Sequence, residues 1–136
     1  MSKRLTILTL VLALTLAAGS ALAQGMMGGK AKTVEGTLVD SKCFLMNANN
    51  TTNDHMTPKG NMPNCATACA KMGIPTGILT ADGNYVPLVV SSMQVAEYMA
   101  QSVRATGMLK NGSLIANKLF VKKGGKWEEV KIGAMM

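Results

Sequence analysis

The sequence predicts a mainly β domain with one or two short helices, folded as a small, partly open OB-like barrel. Three observations carry that expectation. Short apolar runs are separated by the turn pairs Asp82-Gly83, Asn111-Gly112 and Gly124-Gly125, which are hairpin signals. The elements follow in the order strand, long loop with a short helix, hairpin, helix and three-strand meander. Gly36 and Gly107 fall inside strand patterns, where barrels often bend. A β-sandwich or a flat α+β sheet would use the same elements, and the sequence alone leaves them open.

The first strand is "TVEGTLVD" (33–40), in which Val34, Gly36 and Leu38 alternate onto one face. From Ser41 to Pro63 no apolar period exists, and Asn, Thr, Gly and Pro dominate, so this stretch reads as a loop. A loop of that length inside a small domain is uncommon unless it is functional or tied down. "NCATACAKMG" (64–73) then reads as a short helix, with Asn64 as N-cap, Gly73 just past its end and Pro75 beyond. Residues 76–90 form a hairpin about Asp82-Gly83. Ser91 and Gln94 fit a capping box for a helix from about Ser92 to Gln101. The remaining residues give three strands joined by tight turns.

Ahead of the domain lies "MSKRLTILTLVLALTLAAGSALAQ". Lys3 and Arg4, the apolar run from Leu5 to Ala18 and the Ala21-Leu22-Ala23 ending make residues 1–23 a signal peptide, cut after Ala23. The expected product is exported, periplasmic or secreted. Residues 24–32 read as a flexible lead-in, 33–132 as a single domain and 133–136 as a tail. Loss of Lys3 and Arg4 lowers the formal charge by two, from +7 to +5. Six lysines lie between Lys110 and Lys131 and face only Glu128 and Glu129. An exported protein rarely meets nucleic acid, so anionic surface polymer or lipid headgroups are the expected partners of that region, if it is more than a solvated face.

The chemistry concentrates in residues 41–75. Cys65 and Cys69 stand four apart and share a helix face. Cys65, at the helix start, is expected to favour the thiolate. Cys43 follows the first strand, and His55 lies between. Cys43, His55, Cys65 and Cys69 make a Cys₃His set, able to hold Zn²⁺ or another thiophilic ion tetrahedrally and so to order the loop. The alternative is a disulfide between Cys43 and Cys65 or Cys69, common in exported proteins. That would make the chain a stapled structural or adhesive module with the lysine-rich meander as its contact surface. The odd cysteine count favours metal. Met56 and Met62 are further soft donors. Thioethers select Cu(I), whereas the closed Cys₃His set leans to Zn²⁺. No C-x-x-C-H is present for haem, and no group is placed to orient His55 as a base for a thiol nucleophile, so the expected protein is non-enzymatic.

"GTLVDSKCF", the loop histidine, "CATACAKMGIPTGILTADGNYVPL" and "VRATGML" together resemble a family of small exported bacterial domains of OB-like, β-barrel type. The likeness runs from Thr33 to about Ile132. It implies a barrel-like fold and groups Cys43, His55, Cys65 and Cys69, without naming an activity. A weaker, purely architectural likeness is to small periplasmic copper chaperones of OB type. Trp127 occupies a predicted strand here, but no His or Met neighbours it in sequence.

Overall fold

The structure, a computed structural model, describes residues 30–133. The expected leader, most of the lead-in and the last three residues lie outside the described part. Strand β1 spans Lys30–Asp40 and starts earlier than the alternation at Val34 indicates, because Lys30–Lys32 pair with the end of a later strand. The other barrel strands are β4 (Thr76–Leu79), β5 (Tyr85–Val89), β6 (Ser102–Lys110) and β7 (Ser113–Lys123), with β8 (Lys126–Val130) added at one edge.

Strand β1 pairs antiparallel with β4 and β6, β4 with β5, and β6 with β7. The ring closes where β5 runs parallel to the start of β7, with Leu88 opposite Leu114 and Val89 opposite Ile115. The second half of that same β7 edge pairs with β8. The result is a closed five-stranded barrel of OB-like order, as the sequence predicts in kind. Its interior is filled by Val34, Leu38, Ile78, Leu88, Val103, Leu114 and Leu119. Gly36 and Gly107 are the points where strands cross closely. A Cβ on Gly36 would lie 2.1 Å from the Leu79 carbonyl oxygen, and one on Gly107 would lie 2.0 Å from that of Ile115. The β6–β7 register also shifts between Thr106 and Gly107.

The segment between β1 and β4 departs from the expected loop over residues 41–63, while the short helix expected within 64–73 is present. The segment contains helix α1 (Ser41–Met46), a small hairpin of β2 (His55–Thr57) and β3 (Gly60–Met62), and helix α2 (Cys65–Lys71). Neither α1 nor the hairpin shows an apolar period, and asparagine side chains tie them together, whereas α2 packs Ala66 and Ala70 into the core. Asn50 donates to the Cys43 and Met56 carbonyls and accepts from the Met56 amide, tying α1 to β2. Phe44 of α1 stacks on Tyr85 of β5 at 5.4 Å between ring centres. At the base of the segment the Ser41 amide donates to the Pro75 carbonyl at 2.9 Å.

Two local predictions change. Asn64 stands at the N-cap position of α2 but is left-handed, with φ 53°, and its side chain makes no capping bond. Asn53 supplies the cap instead, its side-chain oxygen accepting from the Thr67 amide at 3.0 Å and its carbonyl from Ala66. The helix after Ser91 is only α3 (Ser92–Val95) with a 3₁₀ turn at Ala96–Tyr98, and Ser91 makes no side-chain cap. Gln94 does not close a capping box. Its side-chain oxygen accepts from the Gly133 amide and ties that residue to α3.

Candidate metal centre

Helix α2 carries two adjacent ridges with different jobs. Ala66 and Ala70 join the hydrophobic core, while Cys65 and Cys69, one residue earlier in each turn, are buried outside it. Small alanines let the helix lie close to the barrel. The i, i+4 cysteine spacing thereby delivers two thiols to the space beneath α1 and the β2–β3 hairpin.

Cys43 reaches that space from α1. Asp40, the last residue of β1, caps the helix by accepting the Cys43 amide on Oδ1 at 2.8 Å. The cap fixes the backbone that carries the Cys43 thiol, whose Sγ lies 3.8 Å from that of Cys65. His55, at the start of β2, is 1% exposed although it sits in a polar segment. The structure thus brings Cys43, His55, Cys65 and Cys69 close together. Donor atoms of Cys43, His55 and Cys65 lie within 4.8 Å of one another, and so do those of Asp40, Cys43 and Cys69. Cys43 belongs to both groups and is the centre of the cluster. Cys69 approaches through Asp40 and Cys43.

Asp40 is the residue the sequence reading missed as part of the site. It is 0% exposed, and its Oδ2 lies 3.5 Å from His55 Nδ1. Both atoms are buried without a hydrogen-bond partner, as is Thr76 Oγ1. Burying a carboxylate and an imidazole unsatisfied is costly, so such pairs mark sites where something else completes the contacts. One signal was available in sequence: Asp is a preferred helix N-cap, and Asp40 stands three residues before Cys43.

Burial, the largest cause in each case, raises the three thiols above their ordinary 9.0. For Cys43 and Cys69 the Asp40 carboxylate is the next cause, and for Cys65 it is the hydrogen bond with Cys43. The expected thiolate at Cys65 is therefore corrected. It begins α2, but removal from water outweighs what a seven-residue helix offers at its start.

All three cysteines are unbridged, with Cys43 partly exposed and Cys65 and Cys69 buried. Cys43 opens on a cleft of about 350 Å³ also lined by Met46, Asn47, Asn50, Met56, Thr57 and Pro58. Met56 is exposed beside that cleft, and Met62, opposite His55 in the hairpin, is exposed as well. On the strands, Arg104 lies over Trp127 at 4.3 Å and pairs with Glu35, while Lys123 pairs with Glu128.

No family model matches this chain, and neither a curated protein nor a solved structure matches it.

Proposed function

We propose that the protein is an exported, non-enzymatic metal-binding domain whose insertion between the first two barrel strands holds one transition-metal ion on Cys43, His55, Cys65 and Cys69. OB barrels use the loop at this place for binding. The observation that carries the reading is donor spacing. Two thiolates on one tetrahedral Zn²⁺, with bonds of about 2.3 Å, stand about 3.8 Å apart, and the Cys43 and Cys65 sulfurs already stand at 3.8 Å. The orphaned pair Asp40 Oδ2 and His55 Nδ1 supports it further. A proton on Nδ1 turned to Asp40 leaves Nε2 with the free lone pair, the usual way a carboxylate orients a metal-binding histidine.

Three thiolates and one imidazole form a closed set suited to Zn²⁺, which needs no further ligand and has no redox chemistry. The chain's own residues supply the rest. Asp40 fixes both the Cys43 backbone and the His55 ring, α2 presents two thiols on one face, and Asn50 and Asn53 hold the covering segments. Bound metal would tighten residues 41–75 on a barrel that keeps its own core.

Titration with Co²⁺ as a spectroscopic substitute tests this. Tetrahedral thiolate ligation should give intense visible and thiolate charge-transfer bands at one equivalent, displaced by Zn²⁺. Cys65→Ser should lose most of that intensity. A weak spectrum of octahedral type, identical in wild type and Cys65→Ser, would sink the reading.

A further inference from the structure

The methionines of the 41–75 segment remain unexplained by a closed four-ligand centre. Among the described residues, seven large apolar side chains are exposed, and five of them are methionine: Met46, Met56, Met62, Met72 and Met93. If exposed apolar bulk were all that mattered, leucine or isoleucine would serve equally. What methionine adds is a polarizable thioether sulfur. Two of the five, Met46 at 73% and Met56 at 61% exposure, line the same cleft as Cys43. They come from separate elements, α1 and β2, joined by Asn50, which bonds to the carbonyls of both Cys43 and Met56. Cys43 is also the most exposed of the three cysteines, Cys65 and Cys69 being buried. The open side of the cluster therefore offers three sulfurs, one thiol and two thioethers, beside Asn47, Asn50 and Thr57, whose side chains are bonded to backbone groups.

We infer that Met46, Met56 and Cys43 form a Cu(I) subsite at the mouth of the cluster, through which a soft monovalent ion reaches the buried thiols. Thioethers are poor ligands for Zn²⁺ and good ones for Cu(I), and Cu(I) accepts a trigonal set of sulfurs. As the copper–sulfur bond to Cys43 forms, the thiol proton leaves to water and no electron is transferred. The inference rests on the metal-binding reading above and adds a second, softer donor set with a different selectivity.

The test compares wild type with Met46→Leu/Met56→Leu, prepared reduced and without oxygen. Leucine keeps the apolar volume and removes only the sulfur. Cu(I) affinity, read by competition with a chromophoric Cu(I) chelator, should fall about tenfold or more in the double variant. Zn²⁺ affinity, read with a zinc chelator, should stay within about twofold. X-ray absorption of the Cu(I) form should lose its thioether shell. Met93→Leu, on α3, is the control and should change neither affinity. Equal Cu(I) affinity in wild type and double variant overturns the subsite while leaving zinc binding intact. A wild type that binds neither ion overturns the subsite and the metal-binding reading together.

Discussion

Asp40 Oδ2 and His55 Nδ1 face each other at 3.5 Å in the interior, both without another partner. The other Asp40 oxygen accepts the Cys43 amide. One carboxylate thus caps the backbone of one proposed ligand and faces the ring of another, and separating those two roles gives the sharpest substitution.

Asp40→Asn keeps an oxygen for the helix cap, since Asn caps about as well as Asp. It replaces the second oxygen by an NH₂ donor facing the Nδ1 proton. Zinc affinity should fall by about 10- to 100-fold, as for other lost partners of metal-binding histidines. Chelator competition reads the affinity, and circular dichroism of the metal-free protein checks the fold. Unchanged zinc affinity with a native spectrum would remove Asp40 from the site.

Asn50 is 5% exposed and joins α1 to β2 by three hydrogen bonds. Asn50→Ala removes all three of these part-buried hydrogen bonds, at about 0.5–1.5 kcal/mol each. The loss should appear in metal-free protein as faster hydrogen exchange across residues 41–62, with the barrel strands unchanged. Exchange equal to wild type would mean that the segment is held by something other than its asparagines.

The raised thiols set opposite pH dependences for the two forms. A group whose folded pKa exceeds its unfolded value contributes stability below the unfolded value and loses it as pH rises through the folded one. Metal-free protein should therefore weaken as pH climbs past the ordinary thiol value of 9.0 and through the raised values of Cys43, Cys65 and Cys69. Metal needs thiolate, so the loaded form should weaken as pH falls, and zinc uptake at neutral pH should release protons. Denaturant midpoints across pH and a dye assay in weak buffer measure both. Zinc uptake without proton release would contradict protonated thiols in the free site.

Gly36→Ala places a methyl group 2.1 Å from the Leu79 carbonyl oxygen and 2.9 Å from Ile78 Cγ2. Strand β1 must then move away from β4, a backbone displacement costing about 1–3 kcal/mol or more. Thermal unfolding should start well below wild type with zinc affinity of the folded fraction retained. An unchanged transition would mean that the barrel closes less tightly here than the geometry indicates.

The barrel was legible because its signals are local: Asn111-Gly112 and Gly124-Gly125 are left-handed pairs that only certain residues tolerate, and each makes the expected turn. The cysteines were legible for the same reason, since a four-residue spacing on a helix fixes a shared face. The 41–63 segment was not, because Asn50 and Asn53 act across the chain on backbone groups that no periodicity reports. Asp40 was hidden differently. It shares the parity of Val34, Gly36 and Leu38 and so falls on their face, but at the strand's end a polar residue reads as the exit to a loop, and its neighbour His55 arrives from fifteen residues away. Ser91 and Gln94 had the right spacing for a capping box, but Gly133 offered the glutamine a partner that local sequence does not show.

The central claim is that these residues hold a metal ion rather than a disulfide. Native mass spectrometry of the protein isolated from the compartment it is expressed in, without added metal, tests this most directly, with thiol counting on the same sample. The expected result is one transition-metal ion per chain, lost in acid, with all three cysteines reduced once it has gone. A metal-free chain lighter by a pair of hydrogens, carrying a Cys43–Cys65 bridge and one free thiol, would contradict it.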